Sequence, residues 1–293
     1  MQMQDVKIVE NEPMSAHTTF RIGGPARYYM IPENAGQVSK CMGFAMKMEL
    51  PYVIVGKGSN VLFSDEGYPG VVIEVGRSMA DIEVSEDGHI RAGAGAGLGA
   101  LAAAAAKQSL SGLEFASGIP GTVGGAVVMN AGAYGGEIKD CIKSAKVLDK
   151  EGAVLELSRD EMELGYRSSV IQRRGYIVTE AVFQLHKGNK EQILGRMSEL
   201  NAKRREKQPL DYPSAGSTFK RPEGYFAGKL IEDAGLRGFQ VGDAQVSEKH
   251  CGFVINRGKA TAADVIGLME EVQKRVLETS GVRLEPEVKI IRG

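Results

Sequence analysis

Glycine makes up 38 of the 293 residues and is gathered at 56–58, 93–99, 118–125 and 132–136 rather than spread along the chain. Without a Cβ the backbone can approach a ligand closely, and successive bare N–H groups make an anion cradle, so these stretches are candidate phosphate holders. The densest is GIPGTVGGAVVMNAGAYGG (118–136), with seven glycines in nineteen residues. There Pro120 fixes one backbone angle, Gly121, Gly124 and Gly125 allow close approach, and Asn130 offers a side-chain amide to an adenine or ribose. A tight packing corner between two sheets suits the same residues equally well. VGKGSN (55–60) offers Lys57, Ser59 and Asn60 as donors, but the GxxxxGK[ST] spacing of a Walker loop is absent. GAGAGLG (93–99) looks like a dinucleotide-binding turn. It is followed by a helix and then the loop SGLEFASGIPG, not by a strand ending in an acidic residue, so a Rossmann unit is rejected on context.

Other chemistries find little support. Three cysteines (41, 141, 251) are odd in number and far apart, which reads as reduced thiols. Four histidines (17, 89, 186, 250) show no metal-ligand spacing, and no metal is expected. A Cys–His nucleophilic pair has no local support.

Local patterns give the elements that must hold these loops. PYVIVG (51–56) and VVIEV (71–75) read as buried strands, and EDGH (86–89) as a turn between strands. LGALAAAAAK (98–107) is a helix by propensity. Strands follow at 145–149, 153–157 and 176–185. Asn189 caps a helix to about 207, with Ile193, Leu194, Met197 and Leu200 on one face. KRREKQP ends it and marks a domain boundary. Beyond lie a strand at 252–256, a helix over 261–279 capped by Thr261 with Val265, Leu268, Met269, Val272 and Val276 as its apolar stripe, and a strand at 287–291. Short mixed strands with isolated helices predict an α+β fold.

Six segments together resemble the UDP-N-acetylenolpyruvoylglucosamine reductase family, nearly end to end: VGKGSNVLFSD (55–65), GLEFASGIPGTVGGAVVMNAGAYGGEI (112–138), GYRSSV (165–170), AGSTFKRP (215–222), AGKLIEDAGLRG (227–238) and GVRLEPEVKII (281–291). The chain is similar to the shorter subclass, which lacks an extra tyrosine loop. The resemblance implies a two-part FAD-binding region of the vanillyl-alcohol-oxidase type over 1–206, with subdomains of about 1–75 and 76–206, and a smaller α+β substrate-binding domain over 207–293 whose last strand can return to the FAD region. It also implies noncovalent FAD, NADPH as reductant, and reduction of an enolpyruvyl ether on UDP-N-acetylglucosamine to a lactyl ether in peptidoglycan precursor synthesis. An FAD-linked oxidase of the same fold, acting on another substrate, is the alternative.

Residue by residue, the resemblance assigns FAD contacts to Gly56, Lys57, Gly58, Ser59 and Asn60, to Gly118, Ile119, Pro120, Gly121, Thr122, Gly124 and Gly125, and to Asn130, Ala131, Gly132 and Ala133. Arg167 matches the carboxylate-binding arginine, Ser217 the proton donor and Glu287 the carboxylate assisting it. Glu285, two residues away, is the competing choice. Tyr134, Tyr166, Lys220, Arg221 and Lys229 are expected to contact substrate, with Lys229 also a candidate aid to Ser217. Outside these motifs Ser217 would read as a turn serine, and Arg167 as a surface arginine.

Charge fits an anionic small molecule. The chain carries 36 basic and 37 acidic residues, a net −1, which argues against nucleic acid. Residues 201–229 hold a local basic excess that would draw a diphosphate and a carboxylate. No run of about 18 apolar residues exists for a membrane span. The start, MQMQDVKIVENEPM, lacks the pattern of a signal peptide. A cytoplasmic monomer is expected.

Overall fold

Two separate hydrophobic cores form in the computed structural model, which describes residues 5–293; residues 1–4 of the N-terminal segment read above lie outside them. They correspond to two compact units. The first takes residues up to 9, 28–57 and 70–204, and the second takes 10–27, 58–69 and 205–293. The chain therefore changes unit five times. The sequence placed 10–27 and 58–69 in the first region; their packing places them in the second. The break at 204/205 falls within the KRREKQP segment.

The first unit is built on an antiparallel five-stranded sheet in the order Val154–Ser158, Ile142–Leu148, Ile177–Gln184, His89–Gly93, Ile82–Val84. Tyr52–Val55 pairs in parallel with the 71–74 part of Tyr68–Glu74. The alanine helix Leu98–Lys107 buries Leu98, Leu101, Ala102, Ala105 and Ala106, so small side chains let it lie close to the sheet. The helix Lys190–Lys207 begins where Asn189 Oδ1 accepts the Gln192 N–H at 3.0 Å. Its inward face is Ile193, Met197 and Leu200. Leu194 is 47% exposed, one position off the i, i+4, i+7 stripe.

In the second unit the long helix Ala262–Ser280 buries all five stripe residues expected of it. It packs with the three-stranded sheet Gln240–Val241, Ala244–Val246, Val254–Asn256. Strand Lys289–Ile291 pairs in parallel with Val61–Phe63, so the expected strand at 287–291 is shorter and leaves Glu287 outside it. The start of the long helix has all of its first donors occupied. Thr261 and Asp264 form a reciprocal capping box, and the Asp65 carboxylate accepts from Ala262 N (2.7 Å) and Ala263 N (2.9 Å). Asp65→Ala is expected to cost about 1–2 kcal/mol, as loss of a helix cap does. A melting temperature lowered by about 2–4 °C would register it; an unchanged melt would mean the capping box suffices alone.

Candidate active site

In the first unit the turn after Tyr52–Val55, the start of the alanine helix and the 118–122 loop converge. Gly56 lies so close to Thr122 that a Cβ would sit 2.3 Å from the threonine Oγ1, so no larger residue fits. Gly97 and Thr122 form a β-bridge, and the Lys57 ammonium lies alongside Gly97. Among the described residues, the N–H groups of Gly56, Lys57, Gly118 and Thr122 meet no protein acceptor. The Thr122 hydroxyl is engaged, capping the short helix Val123–Val128. Four donors plus a lysine and a helix start form an environment for a diphosphate.

Asn130 is corrected by the structure. It is fully buried; its Nδ2 donates to Glu137 Oε2 (2.9 Å) and Gly165 O (3.0 Å), and its Oδ1 accepts from Lys139 N (2.9 Å). Both amide hydrogens are thus taken by protein acceptors, and the side chain is closed off from solvent. It ties the 130–137 turn to the loop carrying Arg167. Ala131, Gly132 and Ala133 line that turn half-buried. Asn130, Tyr134 and Arg167 have φ of 42°, 53° and 50°, left-handed values that non-glycine residues rarely adopt and that concentrate at ligand sites. The Arg167 guanidinium donates to Gly132 O at 3.4 Å and lies 5.1 Å from the Tyr166 ring centroid. Tyr134 and Tyr166 are exposed. The hydrogen bond from Lys139 and the nearby amide and guanidinium of Asn130 and Arg167 hold the Glu137 carboxyl below the ordinary range, against the opposing effect of burial.

Arg204 was legible only as one charge in a basic run. It lies along Gly118, and burial pushes its pKa below the ordinary arginine value, partly offset by Tyr134. Among the described residues no carboxylate pairs with it. A desolvated, unneutralised guanidinium beside a loop of open N–H groups is an anion site by its chemistry; no spacing rule would have singled it out.

In the second unit Gly58, Ser59 and Asn60 likewise present N–H groups with no protein acceptor among the described residues. The Asn60 side chain donates to Glu287 O (3.2 Å), and Asn60 O accepts from Lys289 N (3.0 Å). The segments carrying Ser217 and Glu287 run side by side. Glu287 N donates to Thr218 O (2.8 Å), Phe219 bridges Pro286, and Lys220 N donates to Glu285 O (2.8 Å). Thr218 is 1% exposed, its hydroxyl accepts from Val254 N (2.9 Å), and Ser217 beside it is exposed. Glu287 is therefore fixed at both its N–H and its carbonyl, while the Glu285 carboxylate sits in solvent, paired with Lys220 at 3.1 Å.

Three of the basic residues expected to meet substrate are otherwise engaged. Lys220 pairs with Glu285, Lys229 with Asp233 at 2.6 Å on the exposed side of its helix, and Arg221 lies 4.0 Å from the Phe226 ring centroid. Burial pushes Cys41 and Cys141 up to about 12 and raises Cys251, which disfavours the thiolate that a nucleophile needs.

Two family models match the chain: an FAD binding domain over residues 26–158 and the C-terminal domain of UDP-N-acetylenolpyruvoylglucosamine reductase over 208–291. A UDP-N-acetylenolpyruvoylglucosamine reductase of Agathobacter rectalis is 57% identical, covering 99% of this chain and 96% of its own. One of Lachnoclostridium phytofermentans is 57% identical over 97% of this chain and 93% of its own. The crystal structure of UDP-N-acetylenolpyruvylglucosamine reductase from Thermus caldophilus superposes with a TM-score of 0.83 at 38% identity, over 97% of this chain and 98% of that one. These matches bear out the α+β fold with an FAD-binding region of the vanillyl-alcohol-oxidase type. With relatives more than half identical along almost their entire length, the chain belongs to the UDP-N-acetylenolpyruvoylglucosamine reductase family.

Proposed function

We propose that this chain reduces the enolpyruvyl ether of UDP-N-acetylglucosamine to the lactyl ether of UDP-N-acetylmuramate, with FAD as its bound cofactor and NADPH as reductant. The residues present fit FAD: the Gly56–Thr122 contact leaves a cradle closed to larger side chains, and the N–H groups of Gly56, Lys57, Gly118 and Thr122 in the first unit are open to diphosphate oxygens. When bound, FAD supplies the hydride, taken from NADPH, that goes to the terminal methylene carbon of the enolpyruvyl group. The chain must then manage the negative charge arising on the adjacent carbon and its carboxylate. We assign Arg167 to the carboxylate, where a permanently charged planar fork matches two oxygens. Ser217 Oγ–H gives its proton to the carbanion and regains one from water. Glu287 assists that delivery or the charge on the enol.

The observation that carries this reading is the hydrogen bond from Glu287 N to Thr218 O, which holds the segments of the two assigned groups in register. No helix among the described residues is long and apolar enough to cross a membrane. We infer a cytosolic location, which the free thiols and the need for NADPH support. The test is the visible spectrum of the purified protein. A flavin spectrum is expected, bleached by NADPH and restored under anaerobic conditions by the enolpyruvyl substrate; restoration only by air would overturn the reductase reading.

A further inference from the structure

His250 is half-buried and belongs to none of the groups assigned so far. Its ring meets Phe253 edge-on, with centroids 5.1 Å apart, and its Nδ1 accepts the main-chain N–H of Gly252 at 3.0 Å. A main-chain amide can only donate, so Nδ1 carries no proton and the imidazole is neutral with its hydrogen on Nε2. Gly252 in turn accepts through its carbonyl from Thr218 N at 2.9 Å, and Thr218 accepts through its own carbonyl from Glu287 N at 2.8 Å. A continuous path of hydrogen bonds thus runs from the imidazole to the residue next to Ser217 and on to Glu287.

The ring cannot easily turn away. A Cβ added to Gly228 of the helix Ala227–Asp233 would lie 3.1 Å from His250 Cε1 and 3.2 Å from Gly252 N, so that helix is packed directly against the contact. Burial holds the His250 pKa below the ordinary histidine value, partly offset by a hydrogen bond to the residue's own main chain. The charged or titratable groups around it are Arg237 and Lys207, which push the same way, and Glu232, which opposes them; Glu248, Lys249 and Cys251 flank it on its own segment. The neutral state is therefore the resident one at pH 7. Protonation would set Nδ1–H against the Gly252 N–H, two donors face to face in a packed site. The Gly252 turn must then shift, and its carbonyl leaves Thr218.

We propose that His250 is a positioning residue, which holds Ser217 and Glu287 in place when neutral and releases them when protonated. This rests on the roles given above to Ser217 and Glu287. The test uses the holoenzyme and reads the two half-reactions separately by stopped flow. In the wild type, the step that consumes the enolpyruvyl substrate is expected to fall by about tenfold per pH unit below the His250 pKa, a limb that the NADPH step does not share. His250→Asn keeps an acceptor for the N–H two residues on but does not titrate. It should lose this limb and keep its pH 7 rate within about threefold. His250→Ala should slow that step at every pH while sparing the NADPH step. Persistence of the limb in H250N, or equal slowing of both steps in H250A, overturns the proposal. A second readout is independent of the substrate's identity: the Gly252 and Thr218 amide resonances should titrate with His250 in the wild type and stay flat in H250N. A His250 titration that leaves both unmoved sinks the positioning role, whereas failure of the substrate alone to react sinks only the reductase reading.

Discussion

Ser217→Ala is expected to slow reduction of the enolpyruvyl substrate by about 10²–10⁴-fold, the usual worth of a positioned proton donor, and to leave bleaching by NADPH unchanged. A serine hydroxyl is a weak acid and donates usefully only to a strong base held against it. A carbanion beside a fixed loop is such a base. The fixing comes from the next residue: Thr218 is buried, and its N–H, hydroxyl and carbonyl each hold one neighbour, Gly252, Val254 and Glu287. Alanine at the exposed position 217 leaves that framework intact, so the loss measures the proton and not the fold. Single-turnover rates of the two half-reactions decide it. A mutant slowed equally in both would show that Ser217 supports the site in general rather than delivering the proton.

The second large effect is expected at Glu287. Glu287→Gln keeps the size and shape of the side chain and leaves in place the main-chain bonds Glu287 N to Thr218 O and Asn60 Nδ2 to Glu287 O. Stability should therefore stay within about 2 °C of the wild type in melting temperature. The step that consumes the enolpyruvyl group should fall by about 10²–10⁴-fold. Glu285→Gln, which removes only an exposed pair with Lys220, should cost little in comparison, since surface ion pairs contribute about 0–1 kcal/mol. Were the large loss to appear at Glu285 instead, the choice between the two carboxylates would reverse.

What the sequence made legible was whatever is encoded within a dozen residues. The alanine helix spans 98–107 as its propensities dictate, Asn189 and Thr261 cap the helices they precede, and the apolar stripe of the last long helix is buried throughout. The glycine blocks were visible as backbone-donor loops for the same local reason. Hidden were properties that depend on partners far along the chain. Nothing near Val61 announces its pairing with Lys289, so 58–69 was assigned to the wrong core. Asn130 has the composition of a ligand contact, but its three hydrogen bonds to Glu137, Gly165 and Lys139 turn it inward. Lys220 and Lys229 counted toward a basic patch until their carboxylate neighbours were seen. Arg204 is the converse case, an ordinary member of a charged run that burial makes distinctive.

The interleaved second unit has a consequence for biosynthesis. The strand Val61–Phe63 leaves the ribosome long before Lys289–Ile291, the segment it zips against. At about 5–20 residues per second the interval is roughly 10–50 s. During that time Leu62 and Phe63, both fully buried in the finished molecule, have no final partner, and the nascent polypeptide exposes a sticky, half-made surface that chaperones recognise. Acquisition of the lobe that carries Ser217 and Glu287 is thus a late event in translation, timed by the emergence of its last few residues rather than by any local element.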